Sequence, residues 1–503
     1  MAQYDNEIHV KPSFVDMFNS EEFREIGHQL IDLLSHHLNQ QTNRKRPVIN
    51  WREPVAENSN WQKALPTNPT LNAAGLLQTL ESTILNNSLA IHHPRNMGHQ
   101  VAPPLPIAAL CDLVAALTNQ AMAVYEAGPS ATMLERQLVA WLCELIGWKT
   151  EGSTSHGFLT SGGAQANLTA LLAARQVAGK KHTKTNIWQD GIRETKLRIL
   201  ASEHTHYSIS RAAGIMGFGT DAVIKVSCDE EGGMDISSLK KVHQECLRSN
   251  QIIIAVVATA GCTATGSIDP LLAIGQYCQV HRLWLHVDGA HGASALLSPQ
   301  HKHKVKGIDL ADSVVWDGHK LLYMPAAVSA VLFKDGQNSY AAFAQEASYL
   351  FAEGDEQEYN NSYRTLECTK RMMGLKIWAA FSLYGTHGLS TLLDNVFAKA
   401  QLFAEKIMAQ DGFELLMTPQ TNIVCFRYIA VNSSTKHTDT ELNQRQTYIR
   451  QIVVKSGAFH ITQVEYGGKL WLRTSIMNPL TTTEDFDALL LLIMSIKLKK
   501  YRH

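Results

Sequence analysis

The chain has 503 residues, with 45 Lys and Arg against 46 Asp and Glu and a formal net charge of −1. That balance lacks the basic footprint of a nucleic-acid-binding protein, and 45% apolar against 18% charged residues excludes a disordered chain. Apolar runs such as 488–494 fall far short of the roughly 20 residues of a membrane span. The first residues lack the basic-then-apolar order of a signal peptide, and the eight cysteines form no CxxC pair, so a reduced, cytoplasmic protein of two or three domains is expected.

Residues 1–105 read as an irregular arm rich in Asn, Pro and His, with one helix over about 20–38 and a loop-like cluster at 58–70. The arm has little core of its own and is expected to pack on something larger, such as a second subunit. Residues 107–148 carry a helical pattern: Ala131, Leu134, Leu138, Trp141, Leu142 and Leu145 recur every three or four positions, and Gly147 is a stop. From 157 to 333, short β-branched and apolar runs at 198–202, 252–259, 283–287, 313–316 and 328–333 alternate with helix-length stretches. That texture predicts an α/β domain around a mostly parallel sheet with flanking helices. One helix is predicted over 370–384 and another from 388 to about 408. Strands are predicted at 423–427 and 470–473, and Thr481 with Glu484 three residues on reads as the capping box of a C-terminal helix. The expected division is an arm (1–105), a large domain (106–388) and a small C-terminal α+β domain (389–503).

Open α/β sheets bind ligands beyond the carboxyl ends of their strands, so the loops there matter most. Ser161-Gly162-Gly163-Ala164 opens a helix, where small residues and the helix dipole suit a phosphate; a plain tight turn is the alternative. Asp288 ends an apolar strand, where a carboxylate can face a ligand cation or simply serve a turn. Lys320 follows a strand and a small turn, a place for a Schiff-base lysine, although a lone lysine is more often solvated. Together, an anion cradle, an acid and a lysine are the parts that hold pyridoxal phosphate.

The motifs His93-Pro94-Arg95, Ser161-Gly162-Gly163-Ala164, Val287-Asp288-Gly289-Ala290 and Asp317-Gly318-His319-Lys320, in this order and spacing, resemble those of the group II pyridoxal-phosphate decarboxylases. The resemblance covers about residues 93–478 and implies a fold type I enzyme, a homodimer with its active site at the subunit interface. It implies that Lys320 bonds the cofactor aldehyde, that Asp288 pairs with the pyridine nitrogen, and that His206 and Ala290 cover the two ring faces. It places Gly163, Ala164 and His319 near the phosphate, and Cys262 near Asp288 or the ring, where relatives usually carry Thr. Asp317 stands where many relatives carry Asn; an acid there repels a phosphate unless it points elsewhere. Tyr349 matches a loop tyrosine that protonates the α-carbon after CO2 leaves, and Arg473 an arginine that can bind the substrate carboxylate. His99, Gln100 and Tyr125 are candidates for the substrate's distal group.

Reaction type, release of CO2 from an L-amino acid by a carboxy-lyase, rests on this resemblance. Residues 364–373 and 348–351 look most like those of members acting on L-2,4-diaminobutyrate, which yields 1,3-diaminopropane. Glutamate or another acidic amino acid comes next, then aromatic ones. A decarboxylating oxidative aldehyde synthase and an aminotransferase are the alternatives of other classes. His204 and His206 form an HxH that could bind zinc, but no further ligand set with metal spacing is evident in the sequence, and no metal is expected.

Overall fold

The computed structural model describes residues 14–148, 156–184, 186–193, 196–343, 357–429 and 438–497. Its large sheet has seven strands: β1 (His156–Thr160), β2 (Leu197–Ser202), β3 (Val223–Val226), β4 (Ile252–Thr259), β5 (Leu285–Asp288), β6 (Ser313–Asp317) and β7 (Ser329–Phe333). Their order is β1-β7-β6-β5-β4-β2-β3. Only β7 runs against the rest, pairing antiparallel with both β1 and β6. The short, helix-free connection from β6 to β7 permits nothing else, because a parallel return needs a long crossover. Both faces of the sheet are covered: Val314 and Trp316 point into one core, Val315 between them into another. This explains why the strands read as continuous apolar runs rather than alternating ones.

Four antiparallel strands, β8 (Phe413–Leu415), β9 (Ile423–Tyr428), β10 (Thr462–Tyr466) and β11 (Lys469–Ser475), form a second sheet in the order β10-β11-β9-β8. Its core packs Phe403, Phe426, Phe459 and Phe486 together with Met97 and Ala102. The end of the expected arm therefore lies inside the C-terminal unit. The Met97 amide donates to the His460 carbonyl (2.9 Å) and its carbonyl accepts from Ser475 (2.8 Å).

Several elements differ from expectation. The helical stretch after 106 is two helices, Pro106–Thr118 and Pro129–Ile146, separated where Asn119 turns left-handed (φ 45°). The two helices predicted over 370–408 join into Gly374–Ala409, broken at Gly385, whose φ of 62° only glycine adopts freely. β1 and β3 were not predicted; both are edge strands, β1 opening on His156-Gly157 and β3 only four residues long. Among the described residues no helix is long and apolar enough to cross a membrane.

The C-terminal capping box is also displaced by one residue. Thr481 spends its hydroxyl on the Pro94 carbonyl (2.6 Å), so Thr482 caps the helix Thr483–Ser495, and Asp485 reaches back to the Thr482 N–H (3.0 Å). The same carboxylate accepts from Arg44 Nη2 (2.7 Å) and Arg95 Nε (2.8 Å). Burial alone would raise the Asp485 pKa, but the hydrogen bonds from Arg44, Arg95 and Thr482 outweigh it and hold it at about 2. A pKa depressed in the folded state gives stability that is present above the unfolded value near 4 and lost as pH falls through 2. Asp485→Asn is therefore expected to cost about 2 kcal/mol at pH 7. In urea unfolding the gap to the parent protein should shrink by roughly half at pH 3. A gap constant from pH 7 to pH 3 would assign the loss to packing instead.

Candidate active site

The carboxyl edge of the large sheet gathers the sequence motifs. β1 ends at Thr160 and leads into the Ser161–Gly163 turn; β2 ends at Ser202, four residues before His206; β5 ends at Asp288; β6 ends at Asp317, three residues before Lys320. Parallel strands bring these loops to one side because every crossover helix returns the chain to the opposite edge.

Lys320 lies beside Asp317, with Nζ 3.3 Å from Oδ2. The other carboxylate oxygen accepts from the Ser329 hydroxyl at the start of β7, and His319 Nε2 stands 3.6 Å from Oδ2. His319 is fixed from its other nitrogen, Nδ1, against the Val328 backbone, whose carbonyl is 2.9 Å away. The helix Gly163–Ala178 begins against the same carboxylate: a Cβ on residue 163 would sit 2.9 Å from Asp317 Oδ1. Only glycine lets the two approach so closely. The acid thus does not point away from the expected cradle. It lies at the positive end of the helix dipole and holds the lysine ammonium. Ala164, next along, is exposed.

Asp288 is held by two donors: Asn167 Nδ2 to Oδ2 (2.9 Å) and the Ala290 N–H to Oδ1 (3.2 Å). The Ala290 carbonyl in turn accepts from the Asp317 N–H (3.2 Å), tying the β5 and β6 loops together. An ionised carboxylate only accepts, which fixes the direction of the network around it. Asn167 presents its amide nitrogen to Asp288 and to Ser208 Oγ (3.0 Å), and its oxygen to His286 Nε2 (2.9 Å). His286 must therefore carry its proton on Nε2 and accept at Nδ1 from Ser313 Oγ (2.9 Å). Burial pushes its pKa down to about 4, against the pull of Asp288, so it is neutral. Ser208, accepting from Asn167, gives its proton to His206 Nδ1 (2.8 Å). Among the described residues the other nitrogen of His206 has no hydrogen-bond partner; burial lowers the ring's pKa, opposed by Asp288. Asn167, Ser208 and His286 were not singled out from the sequence. His286 shares a strand face with Asp288 two residues on, a period-2 signal; Asn167 and Ser208 join them only through the fold.

The other candidates are distributed unevenly. Cys262 is buried, and its thiol donates to the His204 carbonyl (3.3 Å) rather than toward Asp288. Arg473 is 5% exposed; its Nε donates to the Ala264 carbonyl (3.1 Å) and Nη1 to Thr462 Oγ1 (3.2 Å) and the Gly98 carbonyl (3.4 Å), while Nη2 is buried without a partner. His99 follows Gly98 and lies against the His460 ring at 5.3 Å. Its pKa is lowered by partial desolvation, then by the charges of Arg473 and Arg450. Gln100 is buried with Nε2 unpartnered. Tyr125 sits apart from Lys320's immediate partners, its N–H donating to Asn360 (2.8 Å) and its ring against Tyr359. Tyr349 lies outside the described residues.

His291, in the loop after β5, was not assigned a role either. It is buried, with Nε2 2.6 Å from Asn422 Oδ1 and Nδ1 unpartnered; burial, then the Lys320 charge, push its pKa down to about 3. Thr205 Oγ1 and Thr259 Oγ1, at the same sheet edge, are also buried without partners. Unspent polar atoms around a lysine, an anchored carboxylate and a helix start suit a ligand with both cationic and anionic groups.

The comparisons agree. The pyridoxal-dependent decarboxylase conserved domain matches residues 59–429. The chain belongs to this family. The protein is a pyridoxal-phosphate-dependent amino acid decarboxylase, a carboxy-lyase. This decarboxylase is 30% identical to L-2,4-diaminobutyrate decarboxylase of Acinetobacter baumannii over 86% of both chains. It is 31% identical to cysteine sulfinic acid decarboxylase of Rattus norvegicus over 89% of this chain and 91% of the relative. Among solved structures it is similar to the glutamate decarboxylase domain of diaminobutyrate-pyruvate transaminase and L-2,4-diaminobutyrate decarboxylase from Vibrio parahaemolyticus. The TM-score is 0.83, with 27% identity over 96% of each chain.

Proposed function

We propose that this decarboxylase converts L-2,4-diaminobutyrate to 1,3-diaminopropane and CO2. What supports the substrate is the likeness to the Acinetobacter baumannii relative over most of both chains. Bound pyridoxal phosphate supplies an electron sink for the bond broken at the α-carbon. Lys320 would provide the amine that holds its aldehyde, and Asp317, 3.3 Å from Nζ, would pair with that amine whenever it is free. Asp288, anchored by Asn167 and Ala290, would pair with the ring nitrogen and favour its protonated form, and His206 and Ala290 would hold the ring. Gly163, Ala164 and His319 would hold the phosphate, the Asp317 charge beside them being taken up by Lys320 and the Ser329 hydroxyl, and Cys262 would line the site from the His204 carbonyl. Arg473 spends its free Nη2 on the α-carboxylate. His99, Gln100 and Tyr125 meet the distal group, and Tyr349 delivers a proton to the α-carbon.

One observation favours a second reading. Arg473 and Arg450 set a positive field around His99, which suits an acidic distal group such as that of glutamate or cysteine sulfinate. A panel of L-2,4-diaminobutyrate, glutamate, cysteine sulfinate and an aromatic amino acid, assayed for CO2, decides between them. The expected result is a kcat/KM for diaminobutyrate at least about tenfold above the others, a difference of some 1.4 kcal/mol in transition-state binding. Turnover confined to an acidic substrate overturns the choice. A homodimer is part of the same proposal. Phe18, Phe23, Leu113 and Leu117 are exposed on the helices at 16–42 and 106–118, and a second copy would cover them.

A further inference from the structure

We propose that Glu203, His204 and Cys228 form a zinc-binding site at the ends of β2 and β3, at the start of the loop that carries His206. One ligand atom from each residue, a carboxylate oxygen, an imidazole nitrogen and a thiol sulfur, lies within 4.8 Å of the other two. This mixture is the donor set of zinc. Magnesium and calcium take oxygen ligands instead, and three protein ligands leave a fourth tetrahedral position for water.

The three side chains are held by groups that are not themselves ligands, as built metal sites require. The His204 ring stacks on Tyr466 at the end of β10, with centroids 4.5 Å apart and planes at 29°. Cys228 Sγ lies 3.1 Å from Ser202 Oγ. Glu203 Oε1 accepts the Cys228 N–H (2.8 Å), which aims the carboxylate at the sulfur's own residue. The pairing of β2 with β3 brings the set together: Ser202 and Val226 are register partners, so residues 203–204 and 228 leave the sheet side by side. The HxH spacing offered no third ligand because that ligand comes from the next strand, 24 positions from His204. On binding, zinc forms a bond to sulfur, the S–H bond breaks, and its proton passes to solvent. The His204 carbonyl already accepts the Cys262 thiol, so the loop that carries His206 shares an anchor with the metal.

The test uses untagged holoenzyme stripped of metals with a chelator and dialysed against zinc chloride. Metal analysis is expected to find one tightly held zinc per chain. His204→Ala and Cys228→Ser should each weaken binding at least about tenfold. Cys368→Ser, which alters an exposed cysteine elsewhere, should leave it unchanged. Cofactor absorbance in each variant reports that it has folded. In the parent protein, saturating zinc should slow alkylation of Cys228 and not of Cys368, a readout that depends on no variant. Undiminished zinc uptake by both His204→Ala and Cys228→Ser, or alkylation of Cys228 at the same rate with and without zinc, overturns the proposal.

Discussion

Replacing Lys320 with alanine is expected to abolish the yellow absorbance of the purified protein and to lower CO2 release by at least about a thousandfold. The lysine's amine lies 3.3 Å from Asp317, the carboxylate against which the helix start at Gly163 packs. A covalent anchor removed cannot be replaced by binding energy from neighbouring groups. The fold should survive, because Asp317 keeps the Ser329 hydroxyl and His319 as partners. Lys320→Arg separates the two roles of the side chain: it preserves a charge beside Asp317 and cannot form the bond, so it should be as inactive as alanine. A variant that stays yellow after gel filtration and releases CO2 at more than a few per cent of the parent rate would falsify the assignment.

Asp288→Asn should lower kcat by about 10²–10⁴ while leaving the cofactor bound. A neutral amide cannot keep a ring nitrogen protonated. The local structure also predicts a stability cost. Both oxygens of Asp288 accept, one from Asn167 and one from Ala290. An asparagine must turn its NH2 toward one of those donors, leaving a buried pair unsatisfied at about 1–3 kcal/mol. Because Asn167 also orients Ser208 and His286, the mismatch should spread to His206. Urea unfolding and single-turnover CO2 release measure the two effects separately. A variant with near-parent kcat and only the stability loss would reduce Asp288 to a structural anchor.

The large sheet was legible because it is buried on both faces: the apolar run at 252–259 coincides with β4, and only edge strands such as β1, with its His156-Gly157 opening, lacked a mark. The loops beyond the strand ends were legible for a related reason, since motif order along the chain maps directly onto one edge of a parallel sheet. What surrounds them was not. Asn167 stands within a helix whose sequence reads as packing surface, and nothing local says that its amide reaches Asp288 across 121 positions. Thr481 looked like a cap because the spacing to Glu484 is right, but the Pro94 carbonyl competes for its hydroxyl, and that carbonyl is 387 positions away. Hydrogen-bond direction, unlike periodicity, is settled by whichever partner the fold delivers.

The clasp on Asp485 has a consequence for synthesis. Arg44 and Arg95 must wait for a carboxylate that follows them by 441 and 390 positions. At roughly 5–20 residues per second, translation leaves a gap of some tens of seconds before that partner emerges. Until then Met97 and Ala102 lack the C-terminal core that buries them in the finished fold. Production in a host should therefore respond to chaperone supply and growth temperature more than to the equilibrium stability of the finished protein.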